Sequence, residues 1–318
     1  MQAAQLAFLT EEQINQFHRD GFLLLPGFLD QQDVGDMLAR SKQLLDEFDI
    51  SNHPMTKFIP GDSRNAHVGD DYFLNSGDKI RFFLEEDAVG SDGKLDRPKE
   101  LAVNKIGHAL HELDPIFRRV TLENQKLKSL ARDLKFHKDP AVLQSMTIFK
   151  QPRIGGKVPE HNDRQVYLPL IAFTYQYLTK RPMQTYQNQH IPALGFWFAL
   201  EDCTPSNGAL SFAPGSHLTH PIDRRFVRTG TGGTGFETLC APGPPLREED
   251  YVMHPCPAGT LVVIHGSVLH KSERNTSEKT RYAYTFHMIE SAPPTVYDEK
   301  NWLQPTREMP FSKLFAAS

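Results

Sequence analysis

Residues 259–270 read Gly-Thr-Leu-Val-Val-Ile-His-Gly-Ser-Val-Leu-His, an apolar run of strand length that lies between two glycines and is followed by a second histidine. A short run of β-branched residues bounded by glycine favours a buried β-strand, here over residues 260–265. Similar runs, separated by Gly, Pro and Asn, recur after residue 140 and cover residues 142–149, 194–200, 209–213 and 281–288. Short strands with this punctuation predict an antiparallel sandwich or barrel.

The run 281–288 has two different faces, because side chains alternate along a strand. One face holds Arg281, Ala283, Thr285 and His287, and the other holds Tyr282, Tyr284, Phe286 and Met288. We expect the large, mostly apolar face to join the core and the small, polar face to line a pocket with one fixed cation. Arginine suits such a pocket because its guanidinium can bind a carboxylate through two parallel hydrogen bonds.

The first 140 residues show mainly helical patterns. A capping box at Thr10 and Gln13 predicts a helix over residues 10–19, and a second helix is predicted to begin near Asp30. Apolar residues three and four apart predict further helices over residues 103–113 and 127–134. A strand is predicted between the first two helices, within residues 21–27. The predicted fold is therefore mainly β with packed helices and a helical N-terminal half.

Composition excludes several classes of protein. The 318 residues include 35 Lys and Arg against 39 Asp and Glu, a net charge of −4, which is not the basic footprint of a nucleic-acid binder. No apolar run approaches the ~18 residues of a membrane span, and the N-terminus lacks the features of a secretory signal. Three cysteines without a Cys-x-x-Cys pair argue against a disulfide framework. We expect a cytoplasmic protein that acts on a small molecule, with no nucleic acid, membrane or obligate protein partner.

His161-Asn162-Asp163 is a candidate metal site, because side chains two apart in an extended segment lie on the same side. The third ligand could come from His265 or His270. Two histidines and one carboxylate form the facial triad of non-haem Fe(II) oxygenases, which leaves coordination positions open. The lack of thiolates argues against structural zinc.

A His-x-Asp pair is a weak signal in a chain with 14 histidines, and a solvated loop is the simpler interpretation of His161 and Asp163 alone. Arg281, eleven residues after His270, strengthens the metal interpretation. A dicarboxylate keto acid could chelate iron at one end and meet this arginine at the other.

The spacing of His161, Asp163, His270 and Arg281 resembles that of the phytanoyl-CoA dioxygenase family of Fe(II)/2-oxoglutarate oxygenases. Further segments share the resemblance, which covers nearly the whole chain. They are residues 16–22, 26–29 and 213–217, and, for one branch of the family, residues 71–74, 76–83, 104–111, 144–146 and 301–305.

The resemblance implies a double-stranded β-helix, a cupin-like jelly roll, in a single domain of residues 1–318. Within it, residues 1–140 would give helical support, residues 141–291 would form the jelly-roll core, and residues 292–318 would form a C-terminal segment.

The resemblance also implies roles for particular residues. His161, Asp163 and His270 would bind iron, and His265 would not. The 2-oxoglutarate site would include Lys105, Met146, Trp197, Ser272 and Arg281. Chemistry alone supports Ser272 and Arg281 as carboxylate partners, whereas a lysine on a predicted helix, such as Lys105, is usually solvated.

The activity implied is that of a 2-oxoglutarate-dependent dioxygenase that uses Fe(II) and O2, with ascorbate as an optional reductant. It would hydroxylate an unidentified small organic or acyl substrate and release succinate and CO2. Asp163 favours hydroxylation over halogenation, because its carboxylate fills the coordination position that a halide would need.

Residues 164–190 depart from the family pattern as an apparent insertion, and unpatterned segments of this length are usually functional lids or disordered. Two alternatives follow from the residues. One is a non-catalytic protein of the same fold that binds metal or 2-oxoglutarate. The other is a cupin-like enzyme that uses another metal and no keto acid, and it would not require Arg281. A Ser/His hydrolase is disfavoured because no Gly-x-Ser-x-Gly elbow is present.

Overall fold

The computed structural model describes residues 7–57, 70–166, 169–171, 193–230 and 232–315. Its helices are α1 (Glu11–Asp20), α2 (Gln31–Glu47), α3 (Asp71–Leu74), α4 (Lys99–Ala102), α5 (Leu110–Leu113), α6 (Pro115–Thr121), α7 (Gln125–Leu134) and α8 (Ser216–Thr219). Its strands are β1 (Phe22–Leu25), β2 (Ile80–Leu84), β3 (Val103–His108), β4 (Pro140–Lys150), β5 (Val158–His161), β6 (Pro169–Ile171), β7 (Leu194–Ala199), β8 (Leu210–Phe212), β9 (Arg224–Arg228), β10 (Thr234–Thr238), β11 (Val252–His254), β12 (Leu261–His265), β13 (His270–Ser272), β14 (Arg281–Glu290), β15 (Thr295–Tyr297) and β16 (Ser312–Lys313).

Two antiparallel sheets form the centre of the molecule. The larger has eight strands, in the order β1-β12-β7-β14-β4-β3-β2 with β16 paired to β4. The smaller has four strands, in the order β11-β8-β13-β5. All five strands predicted after residue 140 are present, and the predicted mainly β fold with packed helices is confirmed.

The central strand β14 shows why the helices pack where they do. Its large side chains Tyr284, Phe286 and Met288 are fully buried in one cluster with apolar residues of α2, α6 and α7. Burial of each such side chain contributes about 1.5–3 kcal/mol. The helices therefore cover the outer face of the larger sheet, and the inner face is left for a cavity, as the predicted alternation requires.

Local signals place the helix ends. The side chain of Thr10 accepts from the Gln13 backbone N–H, and the Gln13 side chain accepts from the Thr10 N–H, so the predicted capping box begins α1. The helix ends at Gly21, whose φ of 84° suits glycine. Among the described residues, no helix is both long and apolar enough to cross a membrane.

The helix predicted over residues 103–113 is wrong for most of its length. Residues 103–108 form strand β3, which pairs with β2 on one side and β4 on the other, and only Leu110–Leu113 is helical. The spacing of Val103 and Ile106 suited a helix, but pairing on both edges overrides a short local pattern. Lys105 consequently lies on a strand and is only 6% exposed, where a solvated helix face was expected.

Two buried histidines on or next to β3 predict that the fold loses stability in mild acid. Burial lowers the pKa of His108 to about 3 and that of His111 to about 4. The unfolded chain therefore binds protons at these side chains below pH 6.5, while the folded chain does not. We expect the free energy of unfolding to fall between pH 7 and pH 5, by about 2 kcal/mol per histidine.

Urea unfolding at pH 7, 6 and 5 measures this effect. In a His108→Gln variant the pH slope should be shallower by about one proton, whatever the variant's absolute stability. An unchanged slope would mean that His108 does not contribute to acid sensitivity.

Candidate metal and keto-acid site

A cavity of about 860 Å³ lies between the two sheets. Strand β5 ends at His161 and strand β13 begins at His270, and these two residues are directly paired across the smaller sheet. Asp163 follows β5 in a short 3-10 turn, which Asn162 caps by accepting from the Gln165 N–H at 3.1 Å. Strand pairing and a capped turn thus bring the three predicted ligands to one wall of the cavity.

The three side chains converge on a single point. One ligand atom from each of His161, Asp163 and His270 lies within 4.8 Å of the other two. Asp163 Oδ1 is 3.8 Å from the Nε2 atom of each histidine. Among the described residues, this is the only cluster of three His, Cys, Asp or Glu side chains with metal-binding geometry.

Hydrogen bonds to the backbone fix the tautomer of both histidines. His161 Nδ1 donates to the Pro159 carbonyl at 2.9 Å, and His270 Nδ1 donates to the Val268 carbonyl at 3.1 Å. With the proton on Nδ1, each Nε2 presents its lone pair towards Asp163. Backbone carbonyls of this kind are the usual outer partners of metal-binding histidines.

The charge states also suit a metal ion. Burial alone would raise the pKa of Asp163, but the neighbouring His287, His270 and His161 hold it well below its ordinary value. Burial, with the nearby His270, lowers the pKa of His161 to about 4. At neutral pH the carboxylate is therefore ionised and His161 is neutral, which are the forms that bind divalent metals.

Arg281 supplies the cation predicted for the cavity wall. It is 2% exposed, and Nε and Nη1 have no hydrogen-bond acceptor among the described residues. The nearby Glu201 uses its two carboxylate oxygens to accept from Thr280 and from the Tyr282 N–H. The guanidinium lies over the Trp197 ring, with Cζ 5.3 Å from the ring centroid. A buried guanidinium with unused donors fits one carboxylate of a dicarboxylate ligand.

The rest of the predicted keto-acid site lies in the same cavity. Trp197, Thr285 and Met146 occupy one row across β7, β14 and β4. Burial lowers the pKa of Lys105 to about 7, against the opposing effect of Glu85. All eight predicted residues line the cavity: Lys105, Met146, His161, Asp163, Trp197, His270, Ser272 and Arg281.

The geometry constrains Ser272 and keeps His265 out of the metal cluster, as the family resemblance implies for His265. The hydroxyl of Ser272 donates to the Gly208 carbonyl at 2.8 Å, so it must rotate before it can donate to a carboxylate. His265, the alternative third ligand, packs against Phe136 and His217, with ring centroids 5.2 and 4.6 Å away, and is not part of the metal cluster.

Several cavity residues were not predicted. Phe73 and Trp302 stack with centroids 4.4 Å apart, and together with Phe226 and Phe236 they form an aromatic arm of the cavity. These four residues come from segments up to 229 positions apart, so no local pattern links them. His287 lines the cavity from the polar face of β14, as the alternation along this strand predicts.

The insertion assigned to residues 164–190 falls largely outside the described residues. Arg164 and Gln165 are described and are buried in the turn after Asp163. Residues 167–168 and 172–192 are not described, so the expectation of a lid stays a prediction.

Solved structures with a similar architecture include two non-heme alpha ketoglutarate dependent enzymes. The solved carbocyclase SnoK from nogalamycin biosynthesis, a non-heme alpha ketoglutarate dependent enzyme, matches 98% of this chain and 100% of its own at TM-score 0.59 and 16% identity. The epimerase SnoN, solved in complex with Fe3+, alpha ketoglutarate and nogalamycin RO, matches 96% of this chain and 98% of its own at TM-score 0.56 and 16% identity. At such identity the likeness shows the fold alone, and it confirms the predicted double-stranded β-helix of 2-oxoglutarate-dependent oxygenases.

Sequence similarity is far more specific. A sequence profile described as phytanoyl-CoA dioxygenase (PhyH) matches residues 17–283. Phytanoyl-CoA dioxygenase domain-containing protein 1 from Bos taurus is 42% identical over 316 residues, which cover 98% of this chain and 100% of that protein. The chain therefore belongs to the phytanoyl-CoA dioxygenase family.

Proposed function

We propose that this protein is an Fe(II)- and 2-oxoglutarate-dependent dioxygenase that hydroxylates a small, largely apolar substrate. The observation that supports it best is the pairing of two features in one cavity. The first is a carboxylate 3.8 Å from two imidazole Nε2 atoms, and the second is a buried guanidinium with unused donors. Two histidines and one carboxylate are the ligand set of non-haem Fe(II) oxygenases.

The metal cluster and the cavity wall would bind different ligands. His161, Asp163 and His270 would hold Fe(II), and Arg281 would bind the distal carboxylate of 2-oxoglutarate. When bound, iron and keto acid supply the oxidising chemistry, in which O2 is consumed, 2-oxoglutarate gives succinate and CO2, and a substrate C–H becomes C–OH. The protein contributes orientation and the exclusion of water.

The aromatic arm is the proposed place for the substrate. Three of its residues pack in one buried apolar cluster beside the cavity, and each is at most 5% exposed: Phe73, Phe226 and Trp302. A substrate carbon held against aromatic rings would be kept away from water while its C–H faces the metal. The arm offers rings and few charges, which favours an apolar portion of the substrate.

A spectroscopic titration followed by a product assay tests the proposal. Fe(II) and then 2-oxoglutarate are added without oxygen, and a weak visible charge-transfer band of the chelate is expected. On admission of O2, succinate should form in amounts that exceed the enzyme concentration. His270→Ala should lose both signals, while the matched His265→Ala should keep them.

Each result has a distinct meaning. A band without succinate would favour the non-catalytic binding protein of the same fold. No band in a folded wild-type protein would reject the metal site as assigned. If His265→Ala also lost both signals, the loss in His270→Ala would reflect damage to the fold and would not identify His270 as a ligand.

A further inference from the structure

The Asp163 carboxylate lies next to His287, a residue outside the predicted ligand set. His287 Nε2 lies 3.1 Å from Asp163 Oδ2, the carboxylate oxygen that is not shared with the two ligand histidines. Both side chains are buried, with 7% exposure for each residue. The imidazole of His287 therefore lies at ion-pair distance from one carboxylate oxygen, and the other, Oδ1, lies 3.8 Å from the Nε2 atoms of His161 and His270.

The next residue in the chain of contacts fixes the tautomer of His287. An ionised carboxylate accepts hydrogen bonds and cannot donate them, so His287 Nε2 must carry the hydrogen. Gln144 Nε2 lies 2.7 Å from His287 Nδ1, and its amide hydrogen meets the lone pair that this tautomer leaves on Nδ1. Gln144 is fully buried, so the contact is shielded from competing water.

The strands place these groups in one row. His287 on β14 is paired with Gln144 on β4 and with Gly195 on β7. A Cβ atom at residue 195 would lie 2.9 Å from Asp163 Oδ2 and 3.4 Å from His287 Nε2. A side chain at this position would press on the carboxylate and on Ile264, so the observed position of Asp163 depends on the glycine at residue 195.

We infer that His287 is a positioning residue for the metal site, which turns the Asp163 carboxylate so that Oδ1 alone is presented to the ion. The inference rests on the proposed function, because it assumes that Asp163 is a ligand. A carboxylate that binds through one oxygen leaves more coordination positions open than one that binds through two. His287 itself is outside the three-residue metal cluster, and its Nε2 lies 3.1 Å from Oδ2.

Co(II) binding to the purified full-length protein tests this role without turnover. His287→Leu removes the donor at similar volume, whereas His287→Gln can place an amide N–H close to the position of Nε2. We expect His287→Leu to weaken Co(II) binding by about 10–100-fold and to change its visible spectrum, as losses of outer-shell partners do. His287→Gln should restore affinity to within about threefold of the wild type.

A second variant acts from the opposite side of the carboxylate. Gly195→Ala leaves His287 in place but crowds Oδ2, and it should weaken Co(II) binding in the same direction. Circular dichroism of each metal-free variant shows whether the fold is retained, and His287→Ala takes the place of His287→Leu in the comparison with His287→Gln if His287→Leu does not fold.

The results separate this inference from the proposed function. If wild type and His270→Ala bind Co(II) equally weakly, the metal site itself is wrong. If the wild type binds and His287→Leu matches it in affinity and spectrum, the positioning role is overturned. Equal damage in folded His287→Leu and His287→Gln would also overturn it, because a donor in place would then have no effect.

Discussion

Asp163→Ala is expected to abolish Fe(II) binding and succinate formation while the fold is retained. Asp163 Oδ1 is the one atom that lies 3.8 Å from both histidine Nε2 atoms, so its removal takes away the only anionic ligand of the cluster. The loss of affinity should exceed the roughly 100-fold upper range of outer-shell substitutions. Anaerobic Fe(II) titration and a succinate assay measure the two effects.

The local turn should survive this substitution. The cap of the turn is Asn162, whose side chain accepts from the Gln165 N–H, and the Asp163 side chain makes no part of it. Glu160→Ala is the matched control, because it removes a carboxylate from the same cavity wall that is absent from the metal cluster. Full succinate formation by folded Asp163→Ala would reject the ligand assignment, and so would equal losses in Glu160→Ala.

The contacts around Asp163 show which features of the site can be predicted from the sequence and which cannot. Alternation along residues 281–288 correctly placed Arg281 and His287 on the pocket face, because a long central strand with one apolar face allows a single orientation. It did not show that His287 meets Asp163 and Gln144, which are 124 and 143 positions away. Contacts of this kind depend on the register of three neighbouring strands, and single residues do not specify register.

The misassigned segment around Lys105 has a related cause. Val103 and Ile106 are three apart, which suits a helix, yet the segment fills the gap between β2 and β4 and completes the sheet. Resemblance to the family placed Lys105 in the site, whereas periodicity placed it on a solvated face. Strand pairing is the long-range fact that decides between the two, and it puts the side chain in the cavity wall.

Arg281→Met is expected to abolish binding of 2-oxoglutarate and to leave the ligand-free protein at least as stable as the wild type. Two charge-assisted hydrogen bonds of about 1.5–3 kcal/mol each would be lost, so the dissociation constant should rise by about 100-fold or more. The same substitution removes a buried charge whose Nε and Nη1 lack acceptors among the described residues. Burying such a charge costs free energy, and a well-packed apolar replacement often stabilises the fold.

Thermal unfolding with and without 2-oxoglutarate, in the presence of Fe(II), measures both effects. The wild type should gain stability from the ligand by mass action, and Arg281→Met should not. Arg274→Met is the matched control, because Arg274 also lines the cavity but its side chain is 55% exposed and pairs with Asp87. The stability that Arg281→Lys gains from 2-oxoglutarate should lie between those of the wild type and Arg281→Met. Lysine keeps the positive charge but lacks the planar guanidinium that can donate two parallel hydrogen bonds.

The two readouts separate a ligand-binding arginine from a structural one. If Arg281 served the fold, its removal would lower the stability of the ligand-free protein and the response to 2-oxoglutarate would persist. If it serves the keto acid, the stability of the ligand-free protein holds or rises and the response disappears. Burial of a guanidinium that is 2% exposed and has unused donors costs free energy, and binding of a dianionic ligand would offset that cost.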